Sequence, residues 1–135
     1  MSRQRDVPRP TKRTEYEIVF ITSEAQKGWT DCLAAARNAM VDAWDLLTRE
    51  PEVRSARLYP LKGELRYGSY RGQTYERYQY KFSDGGRLWY FVEHAPKGSR
   101  TAGRVLLERC LPGHPKGDGV DRSARIAGAG AVTPE

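Results

Sequence analysis

Histidine, cysteine and methionine each occur only twice in these 135 residues, and that scarcity excludes several chemistries. With two histidines and no Cys-Xaa-Xaa-Cys pair, the composition offers no structural zinc site, and no cofactor is expected. Cys32 and Cys110 are far apart in patterns that read as helix and strand, so they are expected to be core thiols rather than a disulfide or metal ligands. Long apolar runs are missing as well. Ile18 to Ile21 is only a strand's worth, far below a membrane span, and it does not make the basic start of the chain a signal peptide. A cytoplasmic location with no membrane partner is expected. Acidic residues are also in short supply, 17 against 23 Lys and Arg, for a net charge of +6.

The excess is uneven. Residues 1 to 14 carry Arg3, Arg5, Arg9, Lys12 and Arg13 against Asp6, whereas the stretch from Gly117 carries Arg122 and Arg125 against Asp118, Asp121 and Glu135. A basic arm on a mildly basic domain suits a polyanion held in a salt-dependent way. Pro8 and Pro10 discourage regular structure there, and beyond Lys116 the composition turns to Gly, Ala, Ser and Asp. The expected organisation is a basic disordered arm over 1–14, one domain over 15–116 and a disordered tail over 117–135. The length allows one modest core and not two.

Glu15 to Thr22 (EYEIVFIT) reads as a strand dense enough to sit centrally. Ser23 offers a helix N-cap, Gly28 should weaken or break the helix begun there, and Thr30 or Asp31 supplies a second start. Trp29, Leu33, Ala36, Met40, Trp44 and Leu47 then step by three or four, predicting one long helix to Arg49 with both tryptophans in the core; Pro51 ends it. Ser55 to Leu61 is a strand placed at an edge or bulge by Pro60. Lys62 to Gly72 is a glycine-punctuated hairpin region, and Ser83 to Gly86 is a tight turn. Arg87 to Glu93 (RLWYFVE) is a buried central strand, the segment from Ala95 to Gly103 is a loose connection, and Arg104 to Leu111 is a last strand stopped by Pro112-Gly113. The expected fold is α+β: a curled, mainly antiparallel sheet of about five strands packed on one long N-terminal helix, in the order β-α-β-β-β-β.

The stretch Arg66 to Lys81 (RYGSYRGQTYERYQYK) is the candidate for function. From Tyr75 to Phe82, Tyr78, Tyr80 and Phe82 fall on one side of an extended strand and Tyr75, Arg77, Gln79 and Lys81 on the other. Between Arg54 and Phe82, seven basic residues (Arg54, Arg57, Lys62, Arg66, Arg71, Arg77 and Lys81) face only Glu64 and Glu76. Phosphate suits such a strip. Arg and Lys also serve simply to solvate the wet face of a sheet.

The order strand, long helix and strand meander, with Leu61-Lys62-Gly63, Arg77-Tyr78-Gln79-Tyr80, Gly86-Arg87-Leu88-Trp89-Tyr90 and a terminal Gly113-His114-Pro115-Lys116, resembles the RelE/ParE toxin superfamily. It is similar in particular to RelE-like toxins of actinobacteria and their phages, over about Glu15 to Lys116. The resemblance implies a toxin that cuts mRNA in the ribosomal A site, against 16S rRNA, and is held in check by a cognate antitoxin. It implies metal-free attack of a ribose 2′-hydroxyl on the adjacent phosphate, with Arg77 as phosphate clamp, His114 as acid or base, and Lys116 at the terminal basic position. Lys62, Arg66, Arg71, Tyr75, Lys81 and Arg87 would grip or stack the message. The general base stays unassigned, with Glu64 and Glu76 nearest in sequence. A gyrase-binding ParE-like toxin and a noncatalytic RNA-binding module on the same fold are the other readings.

Overall fold

The computed structural model describes residues 6–113. Strand β1 (Tyr16–Phe20) leads into helices α1 (Ser23–Ala35) and α2 (Arg37–Arg49), then strand β2 (Leu58–Pro60) and a 3₁₀ turn at Gly63–Leu65. A hairpin of β3 (Tyr67–Tyr70) and β4 (Gln73–Glu76) comes next, then β5 (Tyr78–Tyr80), β6 (Arg87–His94) and β7 (Gly103–Leu111). Five strands form one sheet in the order β1-β7-β6-β5-β2, antiparallel except for the parallel pair of β1 and β7, while β3 and β4 form a separate two-stranded sheet. The α+β class and mainly antiparallel five-stranded sheet agree with the sequence pattern.

The helices cover one face of that sheet. Ala25, Cys32, Met40, Ala43 and Leu47 form one buried cluster with Leu58, Tyr78, Leu88, Tyr90, Val92, Val105, Leu107 and Cys110. Gly28 lies in the middle of α1, and a Cβ there would land on the Cys110 carbonyl oxygen. The glycine expected to weaken the helix is therefore what lets α1 press against β7. Both cysteines are buried and free.

Four expectations need correction. The one long helix is two, broken at Ala36 with φ −155° and ψ 65° although alanine is a good helix former. Helix α1 packs chiefly on β7 and α2 on β1, so the apolar stripe is divided between two parts of the sheet that one straight axis does not serve. The helix begins from Thr22 rather than Ser23, because the Thr22 hydroxyl oxygen accepts from the Ala25 amide at 2.9 Å. Strand β1, dense in apolar residues, lies at the sheet edge rather than its centre, and Phe20 is 41% exposed. Its density serves the helices, since Tyr16 and Ile18 pack on the core.

The fourth correction concerns the ribbon. Tyr75 to Phe82 is not one strand but two, β4 in the hairpin and β5 in the main sheet, with the break at Arg77. There the Arg77 amide donates to the Arg66 carbonyl at 2.6 Å and the Arg77 carbonyl accepts from the Leu61 amide at 2.9 Å. The alternation survives only beyond the break, where Tyr78 and Phe82 are buried and Tyr80 is half-buried. The hairpin reverses at Arg71-Gly72, with φ of 51° and 80°, the mirror-image turn that matches strand twist.

Candidate nucleic-acid interface

The sheet face away from the helices is built around an irregularity in β7. Trp89 pairs with Arg109 and Tyr90 with Leu107, so Glu108 has no partner across β6. Such a bulge breaks the alternation locally and re-aims a side chain. Here it leaves the successive residues Glu108 and Arg109 on that face together, Glu108 against Arg77 and Arg109 against Trp89. The Thr22 hydroxyl donates to the Glu108 carbonyl at 2.8 Å, so the helix cap also ties down the bulge.

Arg77 meets Glu108 as a two-bond fork. Its Nε donates to Oε1 at 2.6 Å and its Nη2 to Oε2 at 2.9 Å. Nη1 donates to the Leu65 carbonyl at 2.7 Å and the Tyr67 carbonyl at 3.4 Å. The guanidinium lies 5.3 Å from the Phe91 ring centre and 5.9 Å from that of Trp89, and only 13% of the side chain is exposed. Gly68 makes this closeness possible, since a Cβ there would sit 2.7 Å from Phe91 Cζ and against Nη2. Arg77 is thus not on an open wet face, as the alternation suggested, but clasped between the hairpin and the sheet.

The other expected site residues are spread around this pair. Arg66 is bound to Glu76 at 2.8 Å, with Arg54 4.0 Å from the same oxygen, so Glu76 faces cations. Tyr75 stacks on Phe91 with ring centres 5.5 Å apart, and its hydroxyl lies 3.5 Å from Glu93 Oε2. Desolvation first, and Glu93 second, raise the Tyr75 phenol above its ordinary pKa. Hydrogen bonding from Arg104 holds Glu93 below the usual carboxylate range. Arg71 occupies the hairpin turn against Tyr70, Lys62 is exposed before the 3₁₀ turn, and Lys81 lies 5.6 Å from the Tyr59 ring centre. Arg87 bonds the carbonyls of Ser83, Asp84 and Gly86, which makes it a clasp for the turn.

His114 and Lys116 lie outside the described residues. The last described residue, Gly113, has its backbone against Gly85. From Glu108 to the end of β7 is on the order of 10 Å along the strand. Sequence reasoning missed Glu108, Trp89 and Arg109 as site residues. The successive charges Glu108 and Arg109, interrupting the apolar run from Val105 to Leu111, were the available signal for the first and the last.

No family model matches the chain, and no curated protein matches it. Among solved structures it is similar to a YoeB/ParE toxin from Agrobacterium tumefaciens, with a TM-score of 0.50 and 16% identity over 73% of this chain and 99% of that one. The chain has the fold of a YoeB/ParE toxin. Among the described residues, no helix is long and apolar enough to cross a membrane.

Proposed function

We propose that the chain is a toxin of a toxin–antitoxin pair, a ribosome-dependent endoribonuclease that cuts mRNA in the A site and is neutralised by a cognate antitoxin. The observation that carries this reading is the Arg77–Glu108 fork clasped between the hairpin and the helix-free face of a YoeB/ParE-like sheet. A planar guanidinium that holds a carboxylate by two parallel bonds suits a phosphate equally well. In the free protein Glu108 occupies the place a scissile phosphate would take. An arriving phosphate displaces it, which leaves Arg77 on the phosphoryl oxygens and the Glu108 carboxylate free beside the ribose.

The step balances without a metal. Glu108 takes the proton of the 2′-hydroxyl, the 2′-oxygen bonds to phosphorus, and the bond from phosphorus to the 5′-oxygen breaks, giving a cyclic phosphate and a free 5′-hydroxyl. Arg77 stabilises the charge that gathers on the equatorial oxygens. His114 is the proposed donor to the leaving 5′-oxygen, with Lys116 a further cation, and Lys62, Arg66 and Arg71 hold the message by phosphate.

One observation favours a second reading. Four hydrogen bonds already engage the Arg77 guanidinium within the protein, which suits a structural arginine in a ParE-like, gyrase-binding toxin that cuts nothing. Primer extension on a translated mRNA, after inducing this chain or Arg77→Ala, separates the two. Codon-phased cuts lost in the variant support the nuclease; growth arrest without cuts supports the gyrase-type toxin.

A further inference from the structure

Four residues on the open face line up across four strands. Tyr59 on β2 pairs with Gln79 on β5, Gln79 with Trp89 on β6, and Trp89 with Arg109 on β7. Residues opposite one another in register share a face, so the four make one lateral row at right angles to the strands. The row spans three interstrand steps, about 14 Å in all at roughly 4.8 Å each.

The hydrogen bonds along the row have a fixed direction. Trp89 Nε1 can only donate, and it donates to Gln79 Oε1 at 2.8 Å. The Gln79 amide is thereby oriented, so that Nε2 donates to the Tyr59 hydroxyl oxygen at 3.0 Å. Because that oxygen accepts from Gln79, the Tyr59 proton is turned elsewhere and is free to donate to a ligand. Cations flank the two ends, with Lys81 Nζ 5.6 Å from the Tyr59 ring centre and the Arg109 guanidinium 5.4 Å from that of Trp89. Arg109 is exposed, and Tyr59, Gln79 and Trp89 are half-buried.

We propose that this row is the track on which a single-stranded RNA segment of a few nucleotides lies, crossing the strands from β2 to β7. Lys81 and Arg109 contact phosphates at its two ends, the Trp89–Arg109 pair offers the stacking surface for a base, and Tyr59 donates to a phosphate or base oxygen. Gln79 is a positioning residue that holds both rings through its oriented amide. Neutral aromatic and amide groups between terminal cations suit a strand whose bases are unpaired and whose backbone is anionic. Solvation of a sheet face requires no such directed chain of bonds. The choice of RNA over another anionic strand rests on the endoribonuclease reading above.

The test is fluorescence anisotropy of a labelled single-stranded oligoribonucleotide against the purified full-length chain at several salt concentrations. Arg109→Ala and Lys81→Ala are expected to weaken binding about tenfold each and to lower the salt slope by roughly one unit each. Tyr59→Phe should weaken it about threefold to tenfold, as loss of one hydrogen bond does, with the slope unchanged. Lys97→Ala, in the connection between β6 and β7, should bind as the unaltered protein does. Circular dichroism melting of each variant separates lost contacts from lost folding, and Gln79→Glu, whose carboxylate accepts from both Trp89 and Tyr59 and so turns the Tyr59 proton inward, should weaken binding without removing bulk. Absence of binding by the unaltered protein overturns the track, as do folded track variants that bind normally. Duplex DNA bound as tightly and without dependence on Tyr59 overturns it too. The readouts are separable: cuts that depend on Arg77 with binding indifferent to the row sink the track alone, and binding that depends on the row without any cuts sinks the nuclease alone.

Discussion

Arg77 and Glu108, 31 residues apart, meet in a two-bond fork of 2.6 and 2.9 Å at the place where β7 bulges and the tyrosine ribbon breaks. The break gives Arg77 to the junction of hairpin and sheet, and the bulge leaves Glu108 without a cross-strand partner while keeping Arg109 on the same face.

Replacing either partner separates chemistry from support. Arg77→Ala leaves Glu108 without its cation and the Leu65 and Tyr67 carbonyls without a donor, and is expected to lower unfolding free energy by about 1–3 kcal/mol and abolish mRNA cutting. Glu108→Gln keeps an acceptor for the fork and should cost less stability, while losing the proposed base. Urea denaturation beside primer extension checks both; a folded Glu108→Gln protein that still cuts normally excludes Glu108 as the base.

Gly68 is expected to matter more for the site than for the fold. An added methyl meets Arg77 Nη2 and Phe91 Cζ, which lie at the far ends of side chains, so the hairpin can shift by a small amount. Gly68→Ala should loosen the Arg77 clasp and reduce cutting severalfold, with a stability loss of about 1–2 kcal/mol. An unchanged cutting rate would show that the clasp tolerates displacement.

At Gly28 the obstacle is backbone. Its new Cβ would collide with the Cys110 carbonyl, which β7 holds in the sheet, so Gly28→Ala should force α1 off the strand. A loss of about 3 kcal/mol or more, at the upper end of overpacking costs, is expected from the shift of the urea midpoint.

The Glu93–Arg104 bond predicts an acid-side dependence. Arg104 lowers the Glu93 pKa from its ordinary 4.5, so the native state holds this carboxylate ionised where the unfolded chain begins to protonate it. Its stabilising contribution is complete above about pH 4.5 and fades as the pH falls through the lowered value. The stability difference between the unaltered protein and Glu93→Gln should therefore be constant near neutrality and shrink below about pH 4.5.

Both thiols are pushed up to about 12, chiefly by burial, from an ordinary 9.0. A raised native pKa means the folded state keeps the proton the unfolded chain releases, so this contribution is full below about pH 9 and is lost as the pH rises toward 12. Labelling of Cys32 and Cys110 by a thiol reagent should track global unfolding; rapid labelling of the native protein would contradict their burial.

Much of the fold could be read from local pattern. The apolar run in β6 marked a central strand, Pro60 marked an edge, and the spacing from Trp29 to Leu47 marked helix. The misreadings share a cause, since period describes which side of an element is apolar and not what lies beside it. An apolar β1 looked central because burial by helices and burial by neighbouring strands leave the same residues. The break at Ala36 carries no local signal at all, and the alternation through Tyr75 to Phe82 continues across a point where the chain changes sheets.

The sequence by itself determined the α+β class, the cationic surplus between Arg54 and Phe82, and the apolar faces that bury the two thiols. These come from composition and period, which act over a few neighbouring residues. Only the tertiary structure decided that Arg77 is clasped by Glu108, and that Tyr59, Gln79, Trp89 and Arg109 share one row. Those relations depend on strand register and on one bulged residue, which arise when segments far apart in the chain bury their surfaces together.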